Sequence, residues 1–175
     1  MPATDLRTGI RSIPDFPKEG ILFRDLSPLL EDAALFHESI DRLAAECSKF
    51  SPTKIVGLDA RGFIFGAALA YKLGVGFVPV RKKGKLPFRT ISHAYELEYG
   101  SAEFEIHCDS IKQGEAVVLV DDLLATGGTA HAALHLLHQL EAKVLLSLFV
   151  VELKALGGRA HLAPIEVRSL IEYAD

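Results

Sequence analysis

Cysteine is scarce in this chain: Cys47 and Cys108, 61 residues apart, are the two it has. Neither has a companion at a zinc-ligand spacing, so both are expected to be small buried hydrophobes in a reducing compartment. Long apolar runs are missing too. The longest, Val144 to Val151, is eight residues broken by Ser147, against the roughly 18 that a membrane-spanning helix requires. Positive charge is in deficit: 19 Lys and Arg against 23 Asp and Glu leave a net charge of -4, which gives no general attraction to nucleic acid or to an anionic membrane. Any anion must be held by a local site. The opening MPATDLRTGI has neither the basic start nor the apolar core of a secretory signal, and cytoplasm is the expected compartment.

What is present reads as one globular domain over residues 1–175. Hydrophobic residues at 49% and charged residues at 24% are ordinary, and a chain of this length buries about 70% of the surface its unfolded form exposes. There is no internal repeat, low-complexity stretch or clear linker. Two prolines and a glycine in Pro14 to Gly20 predict a loop. Asp32 can cap a helix whose apolar positions Phe36, Ile40, Leu43 and Cys47 share one face. Short β-rich runs then alternate with helical ones: Lys54 to Asp59 before a helix over Gly62 to Leu73, Val75 to Arg81, Ala116 to Asp122 before a helix over Gly127 to Leu140, and Val144 to Val151. That alternation predicts an α/β fold, a parallel twisted sheet flanked by helices. Between Thr90 and Asp109 the period changes to two, with Ala102, Phe104, Ile106 and Cys108 alternating with Glu103, Glu105, His107 and Asp109. A half-exposed antiparallel hairpin, inserted as a lobe, is expected there.

In an open parallel sheet, ligands bind beyond the carboxyl ends of the strands. VVLVDDLLATGGT, Val117 to Thr129, ends a strand in Asp121 and Asp122, turns, and opens a helix with Thr-Gly-Gly-Thr. Unpaired amides at a helix start bind phosphate, and glycine admits the ligand close to the backbone. The loop lacks the lysine of a P-loop and does not match the dinucleotide fingerprint, so a phosphate monoester is the expected anion. Two carboxylates beside it make sense if they take hydrogen bonds from sugar hydroxyls or face magnesium. Arg61, after the strand ending in Asp59, can grip a second phosphate, and Arg81, Lys82, Lys83 and Lys85 crowd another strand end. His131, His135 and His138 share a helical face at a spacing that could ligate metal, but they lie away from the stripe of Ala133, Leu137 and Leu140 and read as a solvated face.

VVLVDDLLATGGT resembles the phosphoribosyl pyrophosphate motif of the type I phosphoribosyltransferases. DFPKEGILFRDLSPLL (Asp15 to Leu30), GLDARGFIFG (Gly57 to Gly66), VRKKGKLP (Val80 to Pro87) and YELEYGSAEFEI (Tyr95 to Ile106) narrow the resemblance to the branch that acts on adenine. It implies transfer of the 5-phosphoribosyl group from phosphoribosyl pyrophosphate to adenine, giving AMP and pyrophosphate; another purine base, or a nucleotide-sensing regulator without catalysis, is the alternative. It implies that Ala125, Thr126, Gly127, Gly128 and Thr129 hold the 5-phosphate and that Asp121 and Asp122 hold the ribose. Arg61, Arg81, Lys82 and Lys85 would meet pyrophosphate, partly across a homodimer interface. Leu22 would bond the adenine edge through its backbone, with Phe23 and Arg24 beside the base. Glu98 and Asp122 are the catalytic candidates, and Tyr99 joins Glu98 in a mobile loop. Magnesium would come with phosphoribosyl pyrophosphate rather than bind a protein cage. A small hood over about 1–30, a mobile loop and hairpin over about 88–109, and a cis peptide between Asp59 and Ala60 complete the implied picture.

Overall fold

A computed structural model describes residues 4–97 and 100–174 of the chain, which divides into two units between Arg42 and Leu43. In the first, β1 (Arg11–Ile13) and β2 (Phe23–Asp25) form an antiparallel pair. The proline-bearing loop between them includes a cis Phe16–Pro17 bond. Strands of three residues are too short to leave a period in the sequence. The short helix α1 (Ser27–Glu31) carries Pro28 in its first turn, where a missing amide costs nothing. Leu6, Leu26 and Leu29 are buried. Helix α2 (Ala33–Cys47) starts in this unit and runs into the second. Asp32 caps it as expected, accepting from the amides of Ala34 and Leu35 at 2.9 Å each.

The second unit is built on β3 (Lys54–Leu58), α3 (Gly62–Leu73), β4 (Gly76–Lys82), β5 (Thr90–Leu97), β6 (Gly100–His107), β7 (Ala116–Leu124), α4 (Gly128–Gln139), β8 (Lys143–Leu153) and β9 (Val167–Tyr173). Seven strands form one sheet in the order β5-β6-β4-β3-β7-β8-β9. The run β4-β3-β7-β8-β9 is parallel, and its interior strands are buried on both faces: Ile55, Val56, Val117 to Val120 and Leu148 to Val151 are all shut from solvent. Gly74, at φ 68°, ends α3 in the left-handed conformation that suits glycine. No described helix is long and apolar enough to cross a membrane.

The structure corrects three expectations. The sheet is mixed, because β5 and β6 are antiparallel and β6 joins β4 through Arg81↔Glu105 and Lys82↔Phe104. The hairpin therefore extends the central sheet and is not an inserted lobe. Cys108 is exposed, whereas Cys47 is buried: β6 stops at His107, so the alternation no longer places the next side chain. Strand β9 was not anticipated, because Arg168, Ser169 and Glu172 interrupt its apolar residues.

The chain leaves β3 through α3 toward β4 on one side, and leaves β7 through α4 toward β8 on the other. Neighbouring parallel strands whose connections depart in opposite directions open a crevice at their carboxyl ends. That crevice lies between Leu58 and Leu124.

Candidate active site

A cleft of about 310 Å³ occupies this point, lined by Asp59 to Arg61 after β3 and by Asp121 to Ala130 at the end of β7 and the start of α4. The expected phosphate loop has the geometry its sequence suggested. Gly127, at φ 86°, is the N-cap of α4, and the first amide to bond within the helix is that of His131, to the Gly127 carbonyl at 2.8 Å. The amides from Gly127 to Ala130 thus stand at the helix start without intrahelical acceptors, at the positive end of its dipole.

Asp121 and Asp122 belong to β7 itself and are buried, not surface-facing. The Asp122 amide donates to Asp121 Oδ1 at 2.9 Å. Burial, and then the neighbouring Asp122 carboxylate, push Asp121 well above the ordinary carboxylate range, against partial relief from that amide and from Arg61. Gly62 makes room for this arrangement, since a β-carbon there would stand 2.7 Å from Asp121 Oδ1.

Arg61 was expected to face pyrophosphate. In the structure its Nε lies 2.6 Å from Asp122 Oδ2, so its charge is set against that carboxylate. The Asp59–Ala60 peptide beside it is cis. Asp59, which sequence reading passed over, gathers the next strand end: its Oδ2 accepts from the Lys82 amide at 3.4 Å and lies 3.5 Å from Arg81 Nε. Lys83 turns away to pair with Glu103 at 2.7 Å. The Lys85 side chain is exposed and does not line the cleft, while its amide and that of Leu86 donate to Glu105 at 2.8 Å each. Glu105 was counted on the solvated face of the hairpin, yet it is buried. Burial would raise its carboxyl, but bonds from the amides of the turn and from Thr90 outweigh that and hold it below the usual range.

Two further residues shape the loop over 125–129 from outside. Gly158 backs it, so close that a β-carbon on Gly127 would stand 2.6 Å from the Gly158 carbonyl oxygen. Tyr95 of β5 lies beside the start of α4, where a β-carbon on Gly128 would be 3.9 Å from its ring. Neither carried a motif that could have revealed it.

Leu22, Phe23 and Arg24 belong to the first unit: Leu22 is exposed, Phe23 meets Phe16 edge to face at 5.1 Å, and Arg24 is buried and donates to Ser12 Oγ at 2.6 Å. Glu98 and Tyr99 lie outside the described residues. Among the described residues no three His, Cys, Asp or Glu side chains are grouped to hold a metal ion. His131 and His138 are exposed, but His135 is half-buried and stacked on His93 of β5, ring centroids 3.8 Å apart. The expected solvated face of α4 is thus partly covered by the hairpin.

Residues 30–164 match the family model described as the phosphoribosyl transferase domain. Adenine phosphoribosyltransferase of Neorhizobium galegae is 54% identical over 171 residues, covering 97% of this chain and 94% of the relative. The crystal structure of adenine phosphoribosyltransferase from Thermoanaerobacter pseudethanolicus is 50% identical and superposes with a TM-score of 0.93, covering 96% of this chain and 98% of that one. The Saccharomyces cerevisiae enzyme, complexed with an imino-altritol bisphosphate and adenine, is 47% identical with a TM-score of 0.89, over 94% and 96% of the two chains. The chain belongs to the adenine phosphoribosyltransferases, within the wider phosphoribosyltransferase family.

Proposed function

We propose that the chain transfers the 5-phosphoribosyl group from phosphoribosyl pyrophosphate to adenine, releasing AMP and pyrophosphate in purine salvage. The observation that carries this reading is the cleft itself, in which a buried carboxylate pair adjoins a helix N-terminus at the switch point of the sheet. The amides and hydroxyls of Ala125 to Thr129 would hold the 5-phosphate, and Asp121 and Asp122 would accept from the ribose hydroxyls. Cleavage at the anomeric carbon leaves oxocarbenium-like positive charge, which buried carboxylates stabilise. Arg61 would exchange its Asp122 contact for the departing pyrophosphate, and Arg81, Lys82 and Lys85 would add cations, partly from the second subunit of a homodimer.

Magnesium would arrive on phosphoribosyl pyrophosphate and lower the charge of the leaving group. One or two carboxylates together with substrate oxygens suit that ion, and Asp121 and Asp122 can supply them. Leu22, Phe23 and Arg24 would meet adenine, with 1–30 as a hood and 88–109 as a closing hairpin of one catalytic domain. Glu98 would assist loss of the imidazole proton of adenine, beside Tyr99. The enzyme would work in the cytoplasm.

The test is an assay with phosphoribosyl pyrophosphate, magnesium and a panel of bases. Adenine is expected to exceed hypoxanthine and guanine by about 100-fold or more in kcat/KM, because a site bonded to an amine leaves polar groups unpaired when a carbonyl replaces it. Equal turnover of hypoxanthine would defeat the adenine assignment. Sedimentation equilibrium showing a fully active 19.0 kDa monomer at micromolar concentration would defeat the shared site.

A further inference from the structure

The strand that carries Arg81 and Lys82 runs into a turn over 83–87 before β5 begins at Thr90. Two successive amides of that turn, those of Lys85 and Leu86, converge on one oxygen, Glu105 Oε1, at 2.8 Å each. The other carboxylate oxygen accepts from Thr90 Oγ1 at 3.3 Å. Gly84 precedes the two amides at φ 82°, a left-handed step that suits glycine. Successive turn amides that point inward form a concavity for an anion, and here the anion comes from the protein. Glu105 stands opposite Arg81 in the ladder of β4 and β6 and is buried. A carboxylate is costly to bury unless its oxygens are bonded, and both of these are. The turn has a second tie, since Arg81 Nη1 donates to the Lys85 carbonyl at 3.3 Å. Glu105 therefore fixes the backbone from which the Lys85 side chain departs and the carbonyl on which Arg81 rests.

We propose that Glu105 is a positioning residue for the cations that receive pyrophosphate, its carboxylate filling the turn over 83–87 so that Arg81 and Lys85 are presented in fixed places. With the amides of Lys85 and Leu86 taken, these residues offer the leaving group their side chains and not their backbone donors. This rests on the reading of Arg81, Lys82 and Lys85 as the pyrophosphate cations. The sign of the effect separates position from charge. Removing a carboxylate close to cations would by Coulomb attraction alone tighten a polyanion, whereas loss of a positioning group weakens it.

The experiment measures, by calorimetry on the full chain, affinity for magnesium pyrophosphate, with ribose 5-phosphate as the comparison ligand. Glu105→Met fills the same space without an acceptor. It is expected to weaken pyrophosphate about 10-fold, because slight misplacement of positioning groups is costly, and to leave ribose 5-phosphate at the parental affinity. Glu105→Gln removes the charge but keeps an oxygen for both amides, and should stay within about 3-fold of the parent for pyrophosphate. Thr90→Val frees one carboxylate oxygen without changing charge; it should weaken pyrophosphate alone by about 3-fold, and it carries the test if Glu105→Met does not fold. The double variant Arg81→Ala, Lys85→Ala tests the cations themselves. Suppose it binds pyrophosphate weakly while Glu105→Met and Thr90→Val bind as the parent does or more tightly: the role of Glu105 is then overturned and the pyrophosphate cations stand. Equal weakening of both ligands, or a Glu105→Gln as poor as Glu105→Met, would overturn that role as well. Parental pyrophosphate binding by the double variant would overturn both.

Discussion

Gly127 and Gly158 meet backbone to backbone, and neither position can carry a side chain. A β-carbon on Gly127 would stand 2.6 Å from the Gly158 carbonyl oxygen, and one on Gly158 would overlap the Ala125 carbonyl oxygen. The loop over 125–129 therefore has its shape set from behind by a segment 31 residues further along the chain.

Gly158→Ala is expected to push that segment off the loop. Overpacking of this kind costs about 1–3 kcal/mol, which for a chain of this size lowers Tm by several degrees, at roughly 2–4 °C per kcal/mol. Ribose 5-phosphate affinity should fall by about tenfold, because small displacements of positioning groups are costly. Gly76→Ala is the control, since its β-carbon would meet only the Lys54 stem, at 3.3 Å. Unchanged affinity in Gly158→Ala, measured by calorimetry, would show that the backing is irrelevant to binding.

Asp121→Asn should separate stability from activity. Burial and Asp122 raise the folded carboxyl above its unfolded value. That part of the stability is present at low pH and is lost as pH rises through the folded pKa. Replacing the buried carboxyl with an amide is expected to raise Tm at pH 7.5 by about 2–4 °C, the equivalent of roughly one kcal/mol. It should also lower kcat/KM by about 10- to 100-fold, the worth of one charged hydrogen bond to the ribose. Asp122→Asn should lose activity similarly without the gain in Tm, because it strips Arg61 of its ion pair. Thermal melts and steady-state kinetics on the two variants check this, and a fall in Tm for Asp121→Asn would contradict it.

Arg159 forks onto buried Glu152, with Nε 3.0 Å from Oε1 and Nη2 on Oε2, while Ser169 donates to Oε2 at 2.7 Å. Burial alone would raise Glu152, but these bonds hold it below the usual range. Such stability is present above the unfolded glutamate pKa near 4.3 and is lost as pH falls through the lower folded value. Arg159→Met is expected to cost about 3 kcal/mol at pH 7, the low end for breaking a buried pair because the arginine is half exposed. The deficit should shrink as pH falls toward 4, where the unpaired Glu152 takes up a proton. A deficit independent of pH in thermal melts would show that lost packing, not charge, sets the cost.

Glu98→Gln is expected to lower kcat by about 100-fold or more in single-turnover measurements, the low end for general acid-base catalysis, with Glu96→Gln changing it little. Equal small effects would remove Glu98 from the catalytic candidates.

The elements that build the cleft could be read from the chain because each declares itself locally. β3 and β7 are continuous runs of buried β-formers, and Asp121-Asp122 and Thr-Gly-Gly-Thr follow in the place where ligands bind. Residues that act through tertiary approach left no such mark. Glu103 and Glu105 hold equivalent positions in one alternating strand, yet the first pairs with Lys83 at the surface and the second is buried under the amides of Lys85 and Leu86. The same limit applies to His135, whose partner His93 comes from another element, and to Gly158, whose constraint lies in the loop it touches. The ion pair of Arg61 with Asp122 was unforeseen for a related reason. Both residues were assigned to ligand, and nothing in their spacing said that they would first find each other.

The pairing of β3 with β7 also bears on how the protein comes to be able to bind at all. Lys54 and Val117 are register partners although 63 residues separate them, and closing so long a loop is an entropic cost that must be met before the contact returns anything. Contacts of this separation slow folding. The cleft sits across that join, so no partly folded chain lacking it has a binding site. Recovery of ribose 5-phosphate binding during refolding should therefore follow the slowest structural phase, and a ligand present from the start should stabilise the finished fold without hastening its assembly.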